Sequence, residues 1–154
     1  MTEQSLKATV QSDLTDAIRQ RDPVRSGTLR LALTAITNEE VSGTEARELT
    51  DDEVLKVLAK EAKKRKEAAT AYTDAARPEL AAKEEAELLV LEAYLPAQLS
   101  DDELATIVAA AIEQTGATGM PQLGQVMKAA QAVVAGRADG GRVAAVVRAA
   151  LTAG

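Results

Sequence analysis

Histidine, cysteine, phenylalanine and tryptophan are absent from this 154-residue sequence, and two tyrosines are its only aromatic residues. Each absence closes off chemistry. Without histidine or cysteine there is no Ser-His-Asp or Cys-His nucleophile, no zinc site of those ligands, no disulfide and no cysteine-held iron–sulfur cluster. With so few aromatics, a platform for stacking several single-stranded bases is excluded too. The longest apolar run, residues 107–112, is six residues long, far short of a bilayer span. The start of the chain, residues 1–4, is polar and acidic with no apolar segment behind it, so no signal peptide is expected. Zero cysteines fit a reducing compartment, and the sequence reads as a cytoplasmic protein.

What is present is alanine, 32 residues of it, and charge, 27% of the chain. The length suits one domain or two small ones, with enough chain to bury a core. The net charge of −6 is unevenly spread. Residues 1–113 carry fourteen basic and twenty-three acidic residues, a net −9; residues 114–154 carry Lys128, Arg137, Arg142 and Arg148 against Asp139, a net +3. A basic tail on an acidic body reads either as an anion-facing surface or as ordinary solvated charge.

Helical periodicity runs nearly end to end, and no stretch sustains the alternation of a half-buried strand. Residues 5–21 place Leu6, Val10, Leu14, Ala17 and Ile18 on one stripe. Asp22-Pro23 predicts a cap and first turn for a helix to about residue 41, whose Leu29, Leu31, Leu33 and Ile36 spread around it as in a central bundle helix. Thr50-Asp51-Asp52-Glu53 and Ser100-Asp101-Asp102-Glu103 both match a capping box. Between them, Arg77-Pro78 divides residues 51–76 from 78–94 as a helical hairpin. Three helices are expected after residue 100: one over 101–115, stopped by Gly116; one from Met120-Pro121 to Gly136; and one capped by Asp139, burying Val143, Val146, Val147, Ala150 and Leu151. The fold class is therefore all-α. An N-terminal bundle of about four helices (1–95) is followed by a linker (96–100) and a C-terminal three-helix domain (101–154).

Candidate chemistry is sparse. Lys56, Lys60, Lys63 and Lys64 fall in one helical arc with Glu53 and Glu67, reading as a phosphate-contacting stripe or as a solvated face of weak ion pairs. Arg65 falls on the apolar face with Val54, Leu58, Ala62, Ala69 and Tyr72, so an inter-helix salt bridge to Glu84, Glu85 or Glu87 is expected. Of the three acidic clusters, two are helix N-termini and the third, Glu84/Glu85/Glu87, lies mid-helix without loop spacing. No metal site is assigned, and no cofactor is implied. The segment 136–142 matches neither dinucleotide nor P-loop spacing. It offers a tight turn, two guanidiniums and amides opening the last helix, an anion-binding geometry or a plain connector.

Three segments carry a resemblance: Tyr94-Leu95-Pro96-Ala97-Gln98-Leu99, Gly124-Gln125-Val126-Met127-Lys128 and Gly136-Arg137-Ala138-Asp139-Gly140. With Thr28-Leu29-Arg30-Leu31 and the Lys63–Ala68 run leading to Tyr72, their order and spacing resemble stand-alone members of the GatB/YqeY family over essentially the whole chain. The resemblance implies a helical bundle followed by a three-helix domain. It further implies kinship with the tail of the aspartyl/glutamyl-tRNA amidotransferase B subunit, the part thought to recognise the tRNA body. Gly124, Lys128, Gly136, Arg137 and Asp139 match that tail's motif positions, and Arg142 joins them from the local charge pattern. The family's glutamine-dependent carbon–nitrogen ligase label belongs to a catalytic domain that these residues do not resemble.

Two readings follow. In the first the protein is a non-catalytic accessory that binds tRNA or another structured RNA through Gly124, Lys128, Gly136, Arg137, Asp139 and Arg142, with no catalytic residue assigned. In the second it is a helical adaptor for an amidotransferase or an aminoacyl-tRNA synthetase, using an apolar groove between the subdomains. Amidotransferase activity of the chain by itself is not expected.

Overall fold

The computed structural model describes residues 4–153, so the polar start at residues 1–3 lies outside the described part. Among the described residues there are seven α-helices and no strand. They form two compact units, 1–95 and 96–154. The first holds α1 (Leu6–Arg19), α2 (Pro23–Glu40), α3 (Asp51–Asp74) and α4 (Pro78–Glu92). The second holds α5 (Asp101–Thr115), a 3-10 turn (Met120–Gln122), α6 (Leu123–Val134) and α7 (Gly140–Ala153). A four-helix unit followed by a three-helix unit is the expected fold class.

Local chemistry sets the helix starts. Ser5 accepts from the Ala8 amide at 3.1 Å and Asp22 from the Arg25 amide at 3.0 Å. Both capping boxes form. Thr50 Oγ1 takes the Glu53 amide at 3.2 Å and Ser100 Oγ takes the Glu103 amide at 3.1 Å, while each glutamate reaches back to the cap amide. These side chains satisfy amides that have no partner within the helix. Helix ends were less legible. Two residues past the ends of α1 and α3 stand Arg21 and Ala76, both in left-handed backbone without glycine.

In the first unit α2 packs against α1, α3 and α4, a place it shares with α3, which packs against α1, α2 and most extensively α4. Leu29 and Ile36 are buried, but Leu31 is 50% exposed and Ile18 on α1 is 48% exposed. Both exposures have one cause. Leu31 lies two residues, roughly 200°, from Leu29, and Ile18 lies roughly 100° beyond Ala17, outside the arc that α2's and α1's neighbours cover. Tyr94 closes this unit, its hydroxyl donating to Asp13, which also lies 4.0 Å from Arg25. Burial, then the Asp13 carboxylate, pushes the Tyr94 phenol above its ordinary range.

Arg65 is buried, as is Glu61 one turn before it. The guanidinium donates to Glu61 Oε1 at 3.1 Å and to the Glu61 carbonyl at 3.2 Å. Of the three carboxylates expected from α4, Glu87 is the one recorded beside it, with Oε2 3.8 Å from Nε. The inter-helix bridge therefore exists, but the closer partner comes from α3 itself.

In the second unit Leu104, Val108, Val126, Ala130, Val134, Val143, Val147 and Leu151 form the core. Val146 packs at its margin, whereas Ala150, expected inside, is exposed. Leu99, within the segment read as a linker, is buried in this core, and its amide donates to the Arg137 carbonyl at 2.8 Å.

Candidate nucleic-acid interface

The turn between α6 and α7 is shaped from both sides. Ala135 ends α6 in left-handed backbone (φ 48°), and Gly136 follows at φ 82°, a conformation that favours a residue without Cβ. Arg137 then folds back onto α6, its Nε donating to the Val134 carbonyl at 3.0 Å and its Nη2 to the Val133 carbonyl at 2.7 Å. A cation here satisfies carbonyls at the negative end of the helix. Ala138 drops into the core, and Asp139 opens α7. Its carbonyl accepts from the Val143 amide at 3.0 Å, and its Oδ1 lies 3.4 Å from the Gly141 amide.

Gly124 and Lys128 lie one turn apart on α6 and are exposed. Gln131 continues that face, and its Nε2 lies 3.8 Å from where a Cβ on Gly140 would stand. The α6 face therefore leads to the glycines that begin α7, which links the two halves of the expected site. Gly124 has no need of its glycine: a Cβ there would meet nothing within 4 Å. Gly136 is required by the turn; Gly124 is free to be required by something else.

Two of the expected phosphate contacts are occupied within the chain. Arg137 spends Nε and Nη2 on α6, and Arg142 Nη2 pairs with Asp101 Oδ1 at 2.7 Å. Sequence reading missed Asp101 as a partner because the two residues are 41 positions apart. Its capping-box context explained it as a helix start and gave no sign of the pair. The charge asymmetry changes as well. Counted over the unit 96–154, four basic residues meet five acidic ones, a net −1. Asp101 of α5 pairs with Arg142, and the Ser100 amide, helped by Arg137, lowers the Glu103 carboxyl.

Among the described residues, no group of three or more acidic side chains is arranged to hold a metal ion. None of their helices is long and apolar enough to cross a membrane. An apolar hollow of about 330 Å³ lies within the first unit, lined by Pro23, Val24, Gly27 and Leu31 of α2 and by Lys83 and Glu87 of α4.

These features define a class: small all-helical proteins of a four-helix and a three-helix unit, with a glycine turn joining the last two helices. Within that class the match is specific. The chain fits the family described as "Yqey-like protein" over residues 7–151, and it belongs to that family. It is also similar to an uncharacterized protein of Schizosaccharomyces pombe, 34% identical over 98 residues that span 63% of this chain and 77% of the yeast protein.

Proposed function

We propose that this protein is a cytoplasmic, non-catalytic accessory that binds structured RNA, with tRNA as the first ligand to test. The observation that carries the reading is the continuous surface from Gly124 and Lys128 through Gln131 to Gly140 at the start of α7. An exposed lysine supplies charge to a phosphate, and a glycine on the same face lets a backbone approach closely. Arg142 adds to this surface by exchanging Asp101 for a phosphate. Asp101 is almost fully exposed (97%), and a pair at such a rim holds weakly. Kinship of the family with the tail of the tRNA-dependent amidotransferase B subunit supports the same ligand class.

The decisive measurement is titration of tRNA into wild type and into a Lys128→Ala/Arg142→Ala variant, leaving Arg137 to cap α6. The variant is expected to bind at least ~10-fold more weakly, with a salt slope shallower by about 2. Equal affinities would remove this surface from the assignment. An adaptor reading is favoured by one observation at a different place from the groove expected between the subdomains, the hollow between α2 and α4 inside the first unit, with Val24 and Leu31 43% and 50% exposed. A helical partner docked there would be displaced by Leu31→Glu, while tRNA binding would not change.

A further inference from the structure

The span from Leu55 to Lys66 on α3 contains one acid, Glu61, and six basic residues. In the fold Glu61 turns inward, and Arg65 turns inward with it to meet the carboxylate. The two cancel each other beneath the surface. Every exposed ionisable side chain left in the span is a lysine: Lys56, Lys60, Lys63, Lys64 and Lys66. They occupy an arc of about 160° along about 15 Å of helix, bounded along the axis by Glu53 before it and the exposed Glu67 after it. Lys63 has a partner within the chain, and Lys64 reaches back to Glu61 Oε2 at 3.0 Å, yet the Lys64 side chain stays 60% exposed, and a pair of that kind gives way to a better anion at little cost. The stripe stands out because residues 1–95 carry nineteen acidic residues against fourteen basic ones.

We infer that this lysine face of α3 is a second binding surface, specific for the phosphodiester backbone of a nucleic acid. The inference rests on the RNA reading above and adds a contact in the other structural unit. The ligand class follows from what the face lacks as well as from its charge. None of the large hydrophobic residues exposed on the described part of the molecule belongs to α3. A membrane-surface helix pairs its lysines with an apolar face open to lipid, and a protein partner of standard kind needs buried apolar anchors. A polyphosphate backbone needs neither. Cations placed one and two helical turns apart, each on a flexible stem, suit a row of phosphates and read no bases.

The test uses the full-length chain and fluorescently labelled tRNA, titrated over a range of salt. Lys56→Gln/Lys60→Gln/Lys66→Gln is expected to weaken binding at least ~10-fold and make the salt slope shallower by about 2 to 3. The same three positions changed to arginine are expected to retain wild-type binding. All three sites are exposed and glutamine suits a helix, so the melting temperature is expected to hold. Undiminished binding by the glutamine variant, with loss in the Lys128/Arg142 variant, overturns this inference and leaves the first surface standing. The opposite pattern upholds the α3 face and removes the first surface. Failure of the wild type to bind tRNA at low salt overturns both. Displacement of tRNA by poly-glutamate as readily as by an unrelated RNA, at equal charge, overturns the nucleic-acid assignment of the face.

Discussion

Arg65 shows how far a single residue can be read before its neighbours are known. Its place on an apolar face required a carboxylate, and α4 does supply Glu87. Glu61 on its own helix holds it more closely. Arg65→Met removes the buried cation and leaves Glu61 only the exposed Lys64 as a partner, so the first unit is expected to lose about 3 kcal/mol, the low end for breaking a buried pair, read as a lower melting temperature. Glu61→Leu/Arg65→Met is expected to regain much of that loss, because no uncompensated charge remains. Glycines divide in the same way. Gly136→Ala puts a Cβ on left-handed backbone and is expected to cost about 1 kcal/mol, whereas Gly124→Ala lies in a helix with open space and is expected to stabilise by about 0.5–1 kcal/mol. If the stabilised Gly124→Ala protein also binds tRNA more weakly, that glycine serves the ligand; unchanged binding returns it to an ordinary helix position.

At the scale of elements, the capping boxes were legible because every atom they need lies within four consecutive residues. Thr50→Ala and Ser100→Ala are each expected to cost about 1 kcal/mol in thermal or denaturant unfolding. The first box carries an additional acid dependence. Arg47 donates to Glu53 at 2.9 Å, and that bond, followed by the Thr50 amide, lowers the Glu53 carboxyl from 4.5 to about 2. A depressed carboxyl gives stability that is present above its unfolded value and is lost as pH falls through the folded one. The melting temperature is therefore expected to drop between about pH 4.5 and pH 2, more steeply in wild type than in Glu53→Gln. Parallel curves for the two proteins would show that the pair carries none of the dependence. Helix ends were harder to read than starts, since Arg21 and Ala76, both exposed, adopt left-handed backbone and carry no glycine signal.

At the scale of the whole molecule, each unit owns its core. The residues around Leu104, Val126 and Val147 all come from 96–154, and Leu99 brings the supposed linker in with them. A fragment of residues 96–154 is expected to keep its helical circular dichroism and to melt cooperatively; a gradual, featureless melt would show that it depends on the first unit. By itself the sequence determined the all-helical fold, the starts of its helices and the family, because periodicity, caps and short motifs are local and survive being read in one dimension. It also supplied Gly124, Lys128 and Arg142 of the candidate surface, whereas Gln131 and Gly140 joined it only in the fold. Tertiary structure alone decided which charges remain available. Asp101 returns to Arg142 across 41 residues, Arg137 is spent on α6, and Glu61 turns inward with Arg65 so that α3 shows only lysines between residues 55 and 66. Net charge along a chain is a sum over sequence, but a ligand meets a sum over surface, and folding determines which residues belong to it.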